Sequence, residues 1–261
     1  MNNKLKGILL HIKKAIKKTL GIKKIIKVGA DKKLNKVTDL PHSQIFPSAT
    51  YSPWKNSEAF NKVYNIARNY TLVDEYRLYE LYQLASQAVH LKGDFLEVGV
   101  WRGGSSAIIQ TALCDNNTDA DFYIADTFQG VAKAGSIKDT GYQGGEHADA
   151  SLKDVKELFT KIGRDTPEIL VGIFPDDHNE LEIERLAFVH SDVDAYESTK
   201  GVVEWCIPKM VKGGVIVFDD YGFAGCEGVT RYVNEIISKS EFKEHFLFVH
   251  NLNGHAILFK K

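Results

Sequence analysis

Short apolar runs alternate with amphipathic stretches along the chain from Gly93 onward. Five of these runs are almost uniformly apolar, namely FLEVGV (95–100), DFYIAD (121–126), EILVGI (168–173), LAFVHSD (186–192) and GGVIVFDD (213–220). The stretches between them, for example SLKDVKELFTKIG (151–163), place apolar side chains at helical spacing. Apolar strands separated by amphipathic helices indicate a parallel sheet that is covered by helices on both faces.

The last part of the chain breaks this alternation. Residues 244–261, EHFLFVHNLNGHAILFKK, contain two strand-like runs that flank Asn251 to Gly254, and this arrangement predicts an antiparallel hairpin. The fold class expected from the whole pattern is therefore α/β, with a doubly wound, mostly parallel seven-stranded sheet and a C-terminal antiparallel hairpin.

Two helices are predicted before the first strand, at about residues 57–69 and 73–91. The second, VDEYRLYELYQLASQAVHL, carries tyrosines and leucines along most of its length. Such a stripe indicates packing against the sheet, and a homo-oligomer contact is the second use that we expect for these aromatic helices. The predicted domains are a sheet domain with a helical cap at 57–261, a proline-containing linker at 31–56 and a separate N-terminal helix at 1–30.

The N-terminal segment is strongly basic. Residues 1–27 contain nine lysines and no acidic residue, with apolar side chains at helical spacing. Three roles fit such a helix: a peripheral membrane anchor, a partner-binding helix or a disordered solubilising tail. Of the 33 basic residues, 24 remain without these lysines against 34 acidic ones, and a body that acidic is a poor nucleic-acid binder.

Composition is that of a soluble globular protein, with 44% hydrophobic and 26% charged residues. The three cysteines stand far apart without metal-ligand spacing, which favours a reducing compartment, and no histidine pair has zinc-site spacing. No apolar run has the length of a membrane span, and lysines interrupt every signal-like stretch. We expect a cytoplasmic location, at the inner face of the membrane if the basic helix binds lipid.

A glycine-containing turn follows the first predicted strand and opens a helix. In EVGVWRGGS (97–105), the glycines at 99 and 103 let the backbone approach a ligand, and the helix start offers free N–H groups. The dinucleotide fingerprint G-x-G-x-x-G is absent. Instead, Glu97 precedes the first glycine by two residues and suits a ligand with a positively charged amino group or sulfonium. A purely structural turn is the alternative for this motif alone.

The second predicted strand ends in Asp126, where an acid can hold the ribose hydroxyls of a nucleotide cofactor. Together with the turn, this favours S-adenosylmethionine. The residues expected to contact that cofactor are Glu97, Gly99, Val100, Trp101, Gly103, Ser105, Asp126, Thr127, Phe128 and Ser151. Ser151 opens the next predicted helix, so an N-cap without ligand contact is its alternative role.

Two later strands also end in carboxylates. Asp192 closes one apolar run, and Asp219 and Asp220 close the next. Neighbouring parallel strands end at one edge of the sheet, so these three side chains can face each other there. Crowded carboxylates are costly without a cation, and their oxygens suit Mg²⁺ or Mn²⁺. The alternative is that the three acids cap the loop and the helix that follow them.

The stretch 127–150 is glycine-rich and polar, with GSIKDTGYQGGEH at its centre. It follows the second strand, where a lid would close over cofactor and acceptor. We expect substrate contacts from Tyr142, Glu146 and His147, and from Tyr221 after the last parallel strand. An exposed loop without function is the alternative.

With these residues the sequence resembles the macrocin O-methyltransferase family over about residues 70–240. Four blocks in order carry the resemblance: FLEVGVWRGGSS (95–106), ADTFQG (125–130), HSDVDAYESTK (190–200) and GGVIVFDDYG (213–222). It implies the class I methyltransferase fold, S-adenosylmethionine, and a divalent metal, normally magnesium, held by Asp192, Asp219 and Asp220. It also implies a sugar hydroxyl as acceptor, on a glycan precursor, a nucleotide-sugar or a glycosylated natural product.

The expected reaction is direct displacement, in which a hydroxyl oxygen attacks the methyl group of the cofactor. Asp192 is the expected proton acceptor, with His147 or a water as rivals. The more distantly similar catechol and caffeoyl-CoA methyltransferases carry a lysine three residues after the first metal-binding acid, where this sequence has Ala195. Two other functions stay open, a nucleotide-binding oxidoreductase and a non-catalytic scaffold. The missing third glycine and Glu97 disfavour the first, and the retained acids disfavour the second.

Overall fold

The computed structural model describes residues 38–46, 48–135 and 137–261. The helix predicted at 1–30 and the first part of the linker lie outside the described residues. Within the described linker, Pro53–Asn56 form a short 3₁₀ turn that leads into the helical cap.

A single seven-stranded sheet organises the described chain. Its strands are β1 (Asp94–Val98), β2 (Phe122–Asp126), β3 (Glu168–Val171), β4 (Leu186–Ser191), β5 (Met210–Phe218), β6 (Phe246–His250) and β7 (Ala256–Lys260). They lie in the order β3-β2-β1-β4-β5-β7-β6. The first five strands pair in parallel, whereas β7 runs antiparallel to both β5 and β6. The predicted doubly wound sheet and its C-terminal hairpin are therefore confirmed.

Helices cover both faces of this sheet. They are α1 (Glu58–Ala67), α2 (Glu75–Ala88), α3 (Gly104–Asp115), α4 (Leu152–Ile162), α5 (Tyr196–Cys206), α6 (Glu227–Ser238) and α7 (Ser240–His245). Helix α2 begins at a side-chain cap, because Asp74 accepts hydrogen bonds from the backbone N–H groups of Tyr76 and Arg77 at 2.9 and 3.1 Å.

The core lies in two layers, one on each face of the sheet. Alternation along β1 sends Phe95 into the layer beneath α1, α2 and α3, and Leu96 into the layer beneath α5 and α6. The aromatic stripe of α2 packs into the first layer, where Tyr79 meets Phe60 of α1 with ring centroids 5.1 Å apart. This contact confirms the expected packing role of the stripe, while Tyr76 remains 49% exposed.

The strand order reverses between β1 and β4. Successive strands run outward to β2 and β3 on one side, and to β5 on the other. Loops at the carboxyl ends of β1 and β4 separate at such a point and leave a crevice for a ligand. Among the described residues, no helix combines the length and the apolar content that crossing a lipid bilayer requires.

Candidate active site

A cavity of about 340 Å³ opens at the carboxyl edge of the sheet, at the point where the strand order reverses. The turn after β1 and the end of β2 form one side of it. The ends of β4 and β5 form the other side, and residues 130–147 and α2 contribute the remaining walls. The cavity therefore joins the predicted cofactor turn to the predicted metal ligands.

The turn after β1 requires glycine at position 99. Gly99 has φ +88°, and a Cβ atom built on it would lie 1.6 Å from the carbonyl oxygen of Asp192. The backbone at the end of β4 thus touches the backbone of the turn, and any side chain would separate them. This contact fixes the position of the acidic cluster relative to the cofactor turn.

Asp126 holds the turn in shape. Its Oδ2 atom accepts hydrogen bonds from the backbone N–H groups of Val100 and Trp101 at 2.7 and 2.8 Å, and its Oδ1 atom accepts one from Phe128 at 2.7 Å. Sequence reasoning missed this role, because the position of Asp126 at the strand end predicted a ribose contact alone. Both lone pairs of Oδ2 are engaged, whereas Oδ1 retains one, and the side chain lines the cavity.

Six of the ten predicted cofactor residues line the cavity, namely Gly99, Val100, Trp101, Ser105, Asp126 and Thr127. The other four do not line it, and their direct contact with the cofactor stays a prediction. Gly103 is the N-cap residue of α3 at φ +90°, and Phe128 packs against the core. Ser151 caps α4 through Asp154, in line with the alternative considered for it.

Glu97 lies beneath the turn instead of in the cavity. Its side chain is fully buried, accepts a hydrogen bond from Ser106 of α3, and contacts Nδ1 of His190 at 2.7 Å. Glu97 is not among the residues that line the cavity, and its carboxylate contacts two buried neighbours. Its contact with a positively charged cofactor stays a prediction.

The three predicted metal ligands do come together. Asp192, Asp219 and Asp220 each offer a carboxylate oxygen, and these oxygens lie within 4.8 Å of one another. Burial and the charge of Asp219 raise the pKa of both Asp192 and Asp220 well above the usual range. The cluster thus carries more negative charge than its surroundings compensate.

Arg77 of α2 also reaches this cluster, and sequence reasoning missed it. Its Nη1 atom donates to Asp219 and approaches Oδ1 of Asp220 at 3.4 Å, while its Nε atom donates to Asp74 at 2.8 Å. The guanidinium group lies 4.7 Å from the ring centroid of Phe223. No local motif marks Arg77, because 142 positions separate it from Asp219.

Two buried histidines approach Asp219 from the core. Nε2 of His255 contacts Oδ1 of Asp219 at 2.7 Å, and Nε2 of His190 lies 4.0 Å from the same oxygen. The opposite nitrogen of His255 meets Glu80 of α2 at 2.5 Å. Although burial would raise it, the pKa of Asp219 lies far below its usual range, because His190, His255 and Arg77 stabilise the carboxylate.

The donor set of this cluster fits a hard divalent cation. Carboxylate oxygens from two strand ends converge on one point, and the raised pKa values of Asp192 and Asp220 show charge that a cation would neutralise. Asp219 differs from the other two, because both of its oxygens already have positively charged or polar neighbours. The residues present therefore suit Mg²⁺ or Mn²⁺, with Asp192 and Asp220 carrying the uncompensated charge.

The loop after β2 brings two of the predicted substrate residues to the cavity. Tyr142 and His147 line it, and the Tyr142 hydroxyl lies 3.3 Å from Nε2 of His147. Glu146 instead accepts hydrogen bonds from the backbone N–H groups of residues 143 and 144, and Tyr221 donates to Asn234 of α6 at 2.8 Å. Glu146 and Tyr221 thus have partners within the chain, and their substrate roles stay predictions.

Asp194 is a further carboxylate that lines this side of the cavity. It adopts φ +59° just before α5, and its Oδ1 atom lies 3.8 Å from the thiol of Cys226. Burial and nearby carboxylates raise the pKa of the Cys226 thiol. Strict strand alternation from Asp192 would turn Asp194 to the other side of the chain, so the sequence pattern does not predict its place in the cavity.

Comparison with protein families gives a match over most of the chain. Residues 50–253 match the model of the macrocin O-methyltransferase family. This range contains the cofactor turn, the loop after β2 and the acidic cluster.

Two named relatives are similar to this chain. The 8-demethyl-8-(2,3-dimethoxy-alpha-L-rhamnosyl)-tetracenomycin-C 4'-O-methyltransferase of Streptomyces olivaceus is 30% identical over 172 residues, which cover 59% of this chain and 66% of the relative. The mycinamicin III 3''-O-methyltransferase of Micromonospora griseorubida is 32% identical over 180 residues, which cover 62% of this chain and 70% of the relative.

Solved structures show the same fold. The O-methyltransferase NovP superposes with a TM-score of 0.63 at 25% identity, over 74% of this chain and 82% of that protein. TomG of Streptomyces achromogenes, solved in complex with S-adenosylmethionine, gives a TM-score of 0.53 at 16% identity, over 79% of this chain and 91% of that protein, and shows the fold alone.

Proposed function

The chain belongs to the macrocin O-methyltransferase family, and on this basis we propose that it transfers a methyl group from S-adenosylmethionine to a sugar hydroxyl. The acceptor sugar belongs to a glycosylated natural product, a nucleotide-sugar or a glycan precursor. The names of both relatives, a rhamnosyl-tetracenomycin methyltransferase and a mycinamicin methyltransferase, support acceptors of the first kind.

The contact between Gly99 and Asp192 is the observation that carries this proposal. It places the glycine turn of a cofactor site directly against an acidic cluster, with both open to one cavity. Methyl transfer requires the sulfonium methyl group and the acceptor oxygen to meet in line at short distance. A cavity in which the two halves share a backbone contact provides that proximity.

We propose a divalent cation, Mg²⁺ or Mn²⁺, as the second cofactor, held by Asp192, Asp219 and Asp220. Such a cation, when bound, lowers the pKa of a coordinated hydroxyl group and fixes its oxygen. The chain's own contribution is the rigid placement of these carboxylates. The backbone N–H group of Asp192 donates to a carbonyl oxygen of β1 at 2.8 Å, and that of Asp219 donates to a carbonyl oxygen of β4 at 3.0 Å. These two hydrogen bonds supply that rigidity.

Asp192 is the proton acceptor in this proposal. Its backbone touches Gly99 of the cofactor turn, and its carboxylate lies beside those of Asp219 and Asp220, so it stands between the cofactor and the acidic pair. His147, hydrogen-bonded to Tyr142, faces the same cavity and is the rival base. We expect His147→Asn to retain more than about a tenth of the methyl-transfer rate, whereas Asp192→Asn loses at least about a hundredfold. The reverse order of losses would assign the base to His147.

The test of the activity is transfer of a labelled methyl group to a panel of rhamnosides, nucleotide-activated sugars and simple vicinal diols, with and without Mg²⁺. We expect product from a sugar acceptor, loss of product with EDTA, and recovery with added Mg²⁺. Asp220→Asn should lose activity, while Asp115→Asn, which removes a carboxylate near Arg164 away from the cavity, should not. Product formation that survives both EDTA and Asp220→Asn would disprove the metal requirement but leave methyl transfer standing.

A further inference from the structure

Arg77 brings a permanent positive charge to the acidic cluster from outside the sheet. Among the described residues that line the cavity, it is the only lysine or arginine, and five aspartates line the same cavity: Asp126, Asp192, Asp194, Asp219 and Asp220. Its side chain is only 6% exposed. A buried guanidinium group at this place must affect any other cation that approaches the same carboxylates.

The side chain is anchored on the side away from the carboxylates. Asp74, the N-cap residue of α2, accepts the Nε hydrogen bond, and the ring of Phe223 lies against the guanidinium plane. These two contacts do not involve Asp219 or Asp220. Arg77 therefore keeps its place beside the cluster whether or not the two carboxylates also bind something else.

Arg77 and a divalent cation would share two carboxylate groups. The Nη1 atom donates to Asp219 and lies 3.4 Å from Oδ1 of Asp220, and both aspartates belong to the set whose oxygens converge within 4.8 Å. Like charges this close repel each other strongly where water is largely excluded. The guanidinium group and the metal ion must then share the negative charge of Asp219 and Asp220.

We propose that Arg77 is a positioning residue that holds Asp219 and Asp220 when no cation is bound and lowers the affinity of the cluster for a divalent cation. This inference rests on the metal site of the proposed function. The effect on metal affinity that we expect from substituting Arg77 is opposite to the effect of general damage to the fold. Removal of the positive charge should tighten metal binding, whereas disruption of the fold would weaken it.

The experiment measures Mn²⁺ binding to the full chain by electron paramagnetic resonance of the free ion, without cofactor or acceptor. We expect Arg77→Met to bind Mn²⁺ at least about tenfold more tightly than the wild type, because a neighbouring positive charge is removed. Arg77→Gln removes the charge but keeps an amide donor, and should tighten binding in the same way. Arg77→Lys keeps the charge and should bind within about threefold of the wild type.

The matched control is Arg164→Met, which removes a positive charge that pairs with Asp115 at 2.9 Å on the opposite edge of the sheet. It should leave Mn²⁺ affinity unchanged, and thus shows that net charge alone is not responsible. Thermal unfolding of each variant establishes that it is folded, and Arg77→Gln serves if Arg77→Met does not fold.

Two outcomes overturn different conclusions. If the wild type binds Mn²⁺ and the charge-removing variants bind it equally or more weakly, the role of Arg77 is wrong while the metal site stands. If neither the wild type nor any Arg77 variant binds Mn²⁺, the metal site of the proposed function is itself wrong, and the role of Arg77 falls with it.

Discussion

At residue 99 the backbone leaves no room for a side chain. Gly99→Ala combines two penalties, the left-handed conformation and a collision with the carbonyl oxygen of Asp192. We expect this variant to lose at least about tenfold in affinity for S-adenosylhomocysteine, measured by isothermal titration calorimetry, because the turn and the acidic cluster must separate.

Gly163 provides the matched control for this prediction. It also has positive φ, at +66°, but a Cβ atom there would meet nothing within 4 Å, and it ends α4 away from the cavity. Gly163→Ala should cost about 1 kcal/mol of unfolding free energy, for the conformation alone, with unchanged ligand affinity. Equal effects of the two substitutions on affinity would show that the contact with Asp192 has no role in binding.

The carboxylate of Asp126 fixes the shape of the cofactor turn. Its two oxygens accept three backbone N–H groups of the cofactor turn and the residues after β2. Asp126→Asn replaces one acceptor with a donor, so at least one N–H group loses its partner. Affinity for S-adenosylhomocysteine should fall by about tenfold or more, whereas Asp154→Asn at the exposed start of α4 should leave it unchanged.

Single positions also show where sequence reasoning reaches its limit. The glycines and acids at strand ends were recognisable, because parallel strands deliver their last residues to one edge. The direction of the Glu97 side chain was not recognisable from the sequence, because an acid inside an apolar run can contact either a ligand or a buried partner. Only the position of His190 on the neighbouring strand decides between these uses.

At the scale of elements, Glu80 links α2 to the end of the sheet. It contacts His255, which in turn contacts Asp219, so three elements meet through one line of buried polar groups. Although burial opposes it, the hydrogen bonds from His255 to Asp219 and Glu80 raise the pKa of this histidine. The imidazolium form therefore needs both carboxylates.

Glu80→Gln should lower the unfolding free energy by about 1–3 kcal/mol, because it removes one partner of a buried charged histidine. Chemical denaturation of the folded variant measures this loss. Glu157→Gln removes a half-exposed carboxylate 3.5 Å from Lys153 and should cost less than about 0.5 kcal/mol. Comparable losses in both variants would mean that the Glu80–His255 contact adds no stability beyond a surface ion pair.

Most elements follow from the pattern of apolar positions. The five parallel strands, the terminal hairpin and both helices of the cap lie where periodicity predicts them, with ends that shift by a few residues. The pattern of apolar positions does not predict that α2 packs against the site. Its Tyr and Leu stripe explains burial against the core, but Arg77 and Glu80 stand on the same helix and serve the acidic cluster.

At the scale of the whole molecule, charge is divided between two parts of the chain. The nine lysines of residues 1–27 precede a body with a clear excess of acidic residues. We propose that this segment holds the enzyme at an anionic membrane surface. Such a location would suit an acceptor made or displayed at the membrane.

Co-sedimentation with vesicles tests this proposal. The full chain should pellet with vesicles that contain anionic lipid, and much less at high salt, whereas a chain without residues 1–30 should stay in the supernatant. Thermal unfolding of both chains establishes that the shortened chain is folded. Equal partitioning of the two chains would reject the anchor and favour a partner-binding or solubilising role.

The link from Glu80 through His255 to Asp219 also constrains recombination within the family. A chimera that exchanges the C-terminal hairpin between two relatives imports a foreign residue at position 255 while it keeps the native α2 and β5. Crossovers placed at the junction of α7 and β6 should therefore yield functional hybrids only when both parents carry compatible residues at 80, 219 and 255. The hairpin and the helical cap are far apart in sequence, but a functional chimera would have to take both from the same parent or from compatible parents.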